Sequence, residues 1–447
     1  MKQISFFSPA RIILIYFLII ILGGAFLLKL PISTTSPISF IDALFTSTSA
    51  VTVTGLIVRD TPREFTFFGQ MVILLLIQVG GLGYMTFSAF FLLTLKQRLR
   101  YKEKLVLAET LNYPEVYGVM KFFKKVLFYA FTIEIAGTLF LFPIFYQKIK
   151  EPAKALWIAL FHSISAFNNA GFSLFSDSFM SYAGCISLNL VITTLIILGG
   201  IGFFVLEDLE LYLRRKKRNL SVHTKLVFLI TAFLILAGFF WMFLVEFHLN
   251  PLFKNLPLKN KILMSYFTSV TTRTAGFTTV DLSKVSESTL FFLDILMFIG
   301  GSPGGTAGGV KTITAIIVFL TIWSYIRGKN EVLFCKRAIP EDTIKKSLVI
   351  LSVGFLLETM VALILSRIEN TPVVYTLFET VSAFSTVGLS VGNGGVLSYC
   401  ASFETFGKIL IILSMLIGRV GFLSFLIAVA GRAKESKIKH IEAKILL

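Results

Sequence analysis

The chain is poor in the residues on which most enzyme centres and secreted scaffolds depend. Its 447 residues include three cysteines, Cys185, Cys335 and Cys400, too scattered for a disulfide framework or a metal-ligand spacing. Four histidines, equally scattered, argue against a transition-metal site. No HExxH zinc motif occurs. These absences point away from an enzyme. Charge is scarce at 15%, and acids are the scarcer sign, 25 against 42 basic residues. In a soluble protein a net charge of +17 would suggest nucleic acid. Here the basic residues fall in blocks just after long apolar segments, the pattern of cytoplasmic loops of membrane proteins. The expected partner is therefore a lipid bilayer and not nucleic acid.

What the chain has in excess is apolar sequence. It is 55% hydrophobic, with a mean hydropathy of +0.82. Runs of membrane-spanning length recur throughout, among them Ile12–Leu28, Leu127–Phe145 and Val227–Val245. The first lacks a small-residue cleavage site after it and is read as a membrane helix, not a signal peptide.

An internal repeat organises these runs. Phe45–Leu56 (FTSTSAVTVTGL), Phe161–Phe172 (FHSISAFNNAGF), Phe267–Phe277 (FTSVTTRTAGF) and Phe378–Leu389 (FETVSAFSTVGL) each start with Phe and end in Gly plus Leu or Phe. The Phe-to-Gly offset is ten residues in copies one, two and four (45 to 55, 161 to 171, 378 to 388) and nine in the third (267 to 276). Each copy lies between two apolar segments. The first helices fall near 10–30, 122–146, 224–248 and 345–366, and the second near 66–95, 186–213, 289–326 and 404–431. The expected fold is an all-α integral membrane protein of four helix–pore loop–helix repeats, 1–105, 106–220, 221–338 and 339–447. Its eight spanning helices would stand in pseudo-four-fold array around a central pore. The third repeat carries a broken second helix. Non-helical backbone at membrane depth must line a cavity or be buried in protein, so four such loops imply one shared cavity.

Charge sets the orientation. Basic clusters follow the second helices: KQRLRYKEK at 96–104, RRKKR at 214–218, Arg327 with Lys329, Lys336 and Arg337, and a tail with Arg432, Lys434, Lys437, Lys439 and Lys444. Both termini are expected in the cytoplasm, with the pore loops entering from outside.

The repeated element suits a monovalent cation. Backbone carbonyls replace the hydration shell without a fixed charge, and Gly permits the left-handed backbone that aligns them. The preceding helix points its partly negative C-terminus at the centre. The residues flanking each glycine, Val53-Thr54-Gly55, Asn169-Ala170-Gly171, Thr274-Ala275-Gly276 and Thr386-Val387-Gly388, include no ionisable group. A carboxylate ring for a divalent ion is absent there. The expected ligand is potassium, held by filter carbonyls.

These residues resemble the superfamily of the bacterial Ktr and Trk membrane subunits and the plant HKT transporters. The resemblance spans essentially the whole chain. It rests on Thr52–Leu56, Asn168–Phe172, Arg273–Phe277 and Ser385–Leu389, on Gly300–Gly309 in the third second-helix, and on Gly418-Arg419-Val420-Gly421 in the fourth. The Trk branch typically carries two additional N-terminal helices; a first helix near residue 10 leaves no room for them, which favours the Ktr type. Gly55, often Ser in sodium-preferring plant relatives, implies potassium. The family further implies potassium uptake, a homodimer with a pore in each subunit, and a separate cytoplasmic nucleotide-binding subunit of the KtrA/TrkA type. Sodium is a candidate activating ion. The 16 residues after position 431 leave no room for a nucleotide domain in this chain. A sodium or weakly selective cation route on the same scaffold is the alternative, and an integral membrane enzyme or an alternating-access carrier is a remoter one.

Other residues have expected roles. The run Gly300, Gly301, Ser302, Pro303, Gly304, Gly305, Thr306, Ala307, Gly308, Gly309 cannot hold a helix. It half-fits a phosphate-binding loop, but Val310 stands where Lys is required and Lys311 comes one late. It is read as an intramembrane gate below the filter, with Lys311 beside it. Arg419, a charge in an apolar helix, is expected to face the pore and set a barrier, the alternative being a pair with Asp294 or Glu358. Arg273 is expected behind the filter, partnered by Glu134, Glu246, Glu358 or Glu379. Arg273, Glu246, Glu358 and Glu379 are read as filter support, with Glu246 and Glu358 at equivalent positions. His162, at the place of Glu379 in its own loop, is read as a packing residue. The pairs Gly80-Gly81 and Gly199-Gly200, with Gly83 and Gly202, are read as close helix-packing sites.

Overall fold

The computed structural model describes residues 9–83, 118–329, 331–335, 337–392 and 396–430. Most of these are helical; the sheet among them is a single hairpin of Leu333–Phe334 and Arg337–Ala338. The basic segment 96–104, Lys336, the tail beyond 430 and the first repeat boundary lie outside the described residues.

Each quarter of the chain opens with a long apolar helix: α1 Pro9–Lys29, α4 Val119–Ile149, α8 Val222–Trp241 and α12 Glu341–Ile368. These helices are apolar nearly all round, and their outward side chains are large and bare: Ile19 is 63% exposed, Leu139 68% and Phe233 61%. Such faces belong against lipid. Among the described residues, four helices are long and apolar enough to cross a membrane, or five if one bent pair counts as a single span.

A short helix follows in each quarter: α2 Phe40–Val51, α5 Pro152–Phe167, α9 Leu258–Thr271 and α13 Val373–Phe384. Their starts are set by sequence. Ser39 caps α2 through the Asp42 N–H, and Pro152 occupies the first turn of α5, where its missing N–H costs nothing. Serines anchor three of them to the long helices: Ser47 Oγ donates to Ile21 O (2.7 Å), Ser163 Oγ to Glu134 O (2.7 Å) and Ser269 Oγ to Ile235 O (2.6 Å).

The closing helices are all interrupted. α3 Phe67–Leu82 ends at Gly83 (φ 83°). α6 Ile186–Gly200 and α7 Phe203–Leu213 meet at a 101° bend at Gly202 (φ 96°). α10 Glu287–Phe298 and α11 Thr312–Ile326 are separated by the glycine-rich run. α14 Thr405–Val420 and α15 Phe422–Ala430 part at Gly421 (φ 87°). This corrects the expectation of continuous helices over 186–213 and 404–431. Gly83 and Gly202 are turn residues, and Gly202 also lies against the third quarter, where a Cβ on it would come within 2.5 Å of Pro303 O. Gly80 and Gly199 do pack: a Cβ on either would strike the carbonyl of Val51 or Phe167 at the end of a short helix.

Candidate functional site

The four short helices converge at their C-termini, and beyond each one the backbone turns left-handed twice. Val53, Asn169, Thr274 and Thr386 have φ of 51°, 56°, 71° and 50°; Gly55, Gly171, Gly276 and Gly388 have 94°, 71°, 75° and 87°. An L side chain is strained at such angles, which explains the glycines. The residue before each glycine bonds back to its helix: Thr54 N–H to Ser49 O, Ala170 N–H to Ser165 O and Val387 N–H to Ser382 O, each 2.8 Å. The third loop, one residue shorter, closes from Ala275 N–H to Thr271 O at 2.9 Å. Hydroxyls finish the turn. Ser49 Oγ and Ser382 Oγ accept from the N–H of Gly55 and Gly388, both 3.0 Å. Ser165 and Thr271 donate to Phe172 O and Phe277 O instead.

The glycines face one another in a closed circuit. A Cβ on Gly55 would lie 2.5 Å from Ala170 O, one on Gly171 3.0 Å from Ala275 O, and one on Gly276 2.5 Å from Val387 O. One on Gly388 would come closer still to Thr54 O, returning to the first loop. All four glycines line an outer cavity of about 100 Å³, together with Asp60, Asp177 and Asp281. Burial pushes the Asp60 carboxyl up, against the Ser176 hydroxyl that bonds it at 2.6 Å. Burial also raises Asp281, but Ser283 and Lys284 outweigh it and hold that carboxyl below its usual range.

On the opposite side of the ring lies an inner cavity of about 380 Å³, walled by Gly304, Gly305, Ala307, Gly309, Lys311 and Arg419 among others. The run 300–309 is firmly seated there. Ser302 N–H and Thr306 N–H donate to Gly200 O (3.0 Å) and Gly199 O (3.2 Å), and Phe203 N–H donates to Gly304 O (3.0 Å). The bend at Gly202 thus frees the backbone groups that hold the loop. Above it, Thr306 Oγ1 reaches Phe167 O (3.3 Å), and a Cβ on Gly308 or Gly309 would press on Thr386 or Ser385. Lys311 Nζ donates to Ala307 O (2.6 Å). The segment Gly300–Gly304 also spells GxSxG, the nucleophile-elbow pattern. Ser302 is fully buried, however, and its hydroxyl pairs with Thr312 Oγ1 (3.0 Å) instead of a histidine.

Arg419 takes neither acid as partner. Its guanidinium forks between Thr306 O of the loop and Gly80 O and Gly81 O of α3. The other charged residues divide. Glu379 stands behind the fourth loop and accepts from Val391 N–H (3.2 Å) and the Ser390 hydroxyl. Arg273 and Glu358 are buried, with Arg273 Nε and Nη1 and both Glu358 oxygens unpaired among the described residues.

Glu246 requires a correction. It accepts from Asn250 Nδ2 (2.5 Å) and from Ser286 N–H (3.1 Å) and Oγ (2.6 Å), at the start of α10 and away from the loop. A π-helical turn over Met242–Glu246 shifts its helix out of phase, so an equal count to the glycine is not an equal place. Sequence reasoning missed Glu134 in this capacity. It holds Asn168 Nδ2 and Gln78 Nε2, each at 3.0 Å, directly behind the second loop. A buried carboxylate within an apolar helix was the available signal.

Comparisons with known proteins bear on this geometry. Residues 5–440 match the TrkH family, described as cation transport protein. The Ktr system potassium uptake protein B of Bacillus subtilis is 40% identical over 439 residues, covering 98% of this chain and 96% of that one. The protein of the same description from Vibrio alginolyticus is 37% identical, covering 98% and 94%. The potassium/sodium uptake protein NtpJ of Enterococcus hirae is 36% identical, covering 98% and 97%. Among solved structures, the potassium transporter TrkH from Vibrio parahaemolyticus superposes with a TM-score of 0.73 at 18% identity, covering 96% of this chain and 86% of that one. That last likeness establishes a shared all-α membrane fold.

Proposed function

Since the chain belongs to the TrkH family of cation transport proteins, as a Ktr/Trk-type membrane subunit that passes repeatedly through the plasma membrane, we propose that it is the ion-conducting subunit of a potassium uptake system. The observation that carries this reading is the closed circuit of four glycines at the C-termini of four converging helices. Carbonyls of Thr54, Ala170, Ala275 and Val387, with those of the glycines, would replace the water around a dehydrated potassium ion. The helix ends behind them favour a cation. Among the described residues no group of three or more His, Cys, Asp and Glu is arranged to hold a metal.

On this reading the repeats 1–105, 106–220, 221–338 and 339–447 form eight spans in pseudo-four-fold array, four of them interrupted. The loop 300–309 is the gate. Lys311 and Arg419 fix its resting position and raise an electrostatic barrier to cations in the inner cavity. The B. subtilis and V. alginolyticus relatives, named as parts of Ktr systems, favour assembly as a homodimer with a separate nucleotide-binding cytoplasmic subunit. The chain itself is then expected to bind no nucleotide. A second reading, transport of sodium as well, draws on the name of the E. hirae relative. Potassium and sodium flux in vesicles holding the purified chain, with and without such a subunit, decides between them. Potassium flux that survives excess sodium supports the first reading; equal flux of both ions supports the second.

A further inference from the structure

Hydrogen bonds beyond the glycines divide the four loops into two kinds. In loops two and four the short helix reaches across to the outgoing strand. His162 Nε2 accepts from Leu174 N–H (3.2 Å) and pairs with the Ser173 hydroxyl (3.0 Å). Glu379 Oε1 accepts from Val391 N–H (3.2 Å) and from the Ser390 hydroxyl. Ser173 and Ser390 then accept from the N–H groups of Phe175 (2.9 Å) and Gly392 (3.0 Å). Two chemically unrelated side chains make the same three-bond brace. Packing alone explains neither, since both are fully buried and an apolar residue would fill the space without a desolvation penalty. The bond from Leu174 also assigns the proton, leaving Nδ1 to donate to Ile158 O (2.8 Å).

Loops one and three lack this brace. Their matching positions hold Thr46 and Thr268, and Thr46 commits its hydroxyl to Asp42 O of its own helix (2.9 Å). These loops are held from outside, by the neighbouring quarter. Ile57 N–H donates to Ser398 Oγ (2.9 Å), and Ser398 N–H donates back to Ile57 O (3.1 Å). Thr278 N–H donates to Ser178 Oγ (3.1 Å), and Phe179 N–H donates back to Thr278 O (2.9 Å). Quarter four clasps loop one through Ser398 alone, and quarter two clasps loop three through Ser178 and Phe179, each by a reciprocal pair of bonds.

We propose that the backbone of the ring is held as two pairs, loop two carrying loop three and loop four carrying loop one, with the side-chain bond from Ser176 to Asp60 as the link between the pairs. His162 and Glu379 are the positioning residues, and Ser178 and Ser398 are the clasps. The inference rests on the reading of the ring as the ion filter. Its consequence is directional. Loss of a clasp on the second quarter is felt at Gly276, and loss of one on the fourth is felt at Gly55.

The test uses the purified full chain in vesicles, reading rubidium flux against sodium competition. Ser178→Ala and Ser398→Ala are each expected to lower potassium-type preference roughly three- to ten-fold, as loss of a half-buried hydrogen bond does. Ser398→Thr, which keeps the hydroxyl at an ordinary φ of −62°, restores it. Glu379→Gln keeps the acceptor oxygen and stays near the parent, whereas Glu379→Leu falls with the clasps. Combined with Gly276→Ser, Ser178→Ala adds little; combined with Gly55→Ser, the two losses multiply, because separate sites act independently. If the serine variants lose only melting temperature while the glycine variants lose selectivity, the pairing is wrong and the filter reading stands. If the glycine variants leave selectivity intact, the filter reading falls and takes the pairing with it. Should Glu379→Leu fail to fold, the two serines on the outer segments decide the matter alone.

Discussion

On the outer side of the molecule, four segments with different sequences end in the same two left-handed residues and meet in one circuit. On the inner side, three of the four closing helices end at a single glycine with nearly the same φ, 83° at Gly83, 96° at Gly202 and 87° at Gly421, with a 101° bend at Gly202. The helix of the third quarter alone gives way to a longer run, 300–309. On the proposed reading, the outer half is uniform about its glycines because every loop would supply the same ligand to one ion, and a single unequal loop would spoil the set. On the same reading the inner half is unequal because one element serves as the gate and the three other breaks give it a fixed seat. The bend at Gly202 and Arg419 both touch the loop of the third quarter, and Arg419 ties it to the end of α3.

The largest expected effects test the uniformity of the outer ring. Serine at each glycine meets backbone strain plus a neighbouring carbonyl, and the space differs. Gly388→Ser should cost most selectivity, Gly55→Ser and Gly276→Ser somewhat less, and Gly171→Ser least, following the approach to Thr54, Ala170, Val387 and Ala275. Potassium preference over sodium should fall by about ten-fold or more in the first, equivalent to ~1.4 kcal/mol. Competition flux on the four proteins gives the order directly; an equal loss at all four would mean that conformation alone, not the neighbouring carbonyl, sets the requirement.

Intermediate effects test the inequality of the inner half. Removing several residues of 300–309 should raise basal potassium flux about ten-fold and make it less dependent on a cytoplasmic partner. Arg419→Ala removes both a positive charge, the proposed barrier, and the fork that ties Thr306 O to Gly80 O, so flux should rise several-fold while the protein still assembles. Arg419→Lys is the sharper variant. It keeps the charge but cannot span both carbonyls, because an ammonium lacks the planar fork. If Lys behaves like Ala, the tether holds the gate; if it behaves like Arg, the charge does. A folded deletion variant with low basal flux and ordinary activation would reduce the loop to a kink.

The outer half was the more legible in sequence, and the reason is redundancy. One Phe-to-Gly pattern means little, but four in register between apolar helices specify a loop, and the missing residue of the third copy reappears as a hydrogen bond that closes one residue sooner. The run 300–309 was equally plain, since no helix survives six glycines and a proline. Single events were not legible. Gly202 and Gly421 look like any packing glycine in an apolar stretch, because the sequence does not record φ. Glu246 shared a count with Glu358 but lost its place to a π-helical turn. His162 looked like filling because its bonds run to the Ser173 hydroxyl and the Leu174 N–H, eleven and twelve residues away. Bonds of that kind follow from the fold and leave no spacing rule behind.

The smallest effect separates a turn that merely bends from a turn that also seats the loop. Gly202 and Gly421 have nearly the same backbone angles, φ 96° and 87°. Alanine at either pays the same strain, about 1–2 kcal/mol for a left-handed residue. Their surroundings differ. A Cβ on Gly202 would lie 2.5 Å from Pro303 O, in the middle of the loop, whereas one on Gly421 meets nothing nearer than Ser424 Oγ at 4.0 Å. Gly421→Ala should therefore lower the melting point by no more than about 4 °C and leave basal flux unchanged. Gly202→Ala must push the loop off the carbonyls of Gly199 and Gly200, so it should raise basal flux as a short deletion does, beyond its cost in stability. Equal flux in the two variants would show that the bend of the second quarter carries no part of the gate, and that Arg419 and Lys311 hold the loop by themselves.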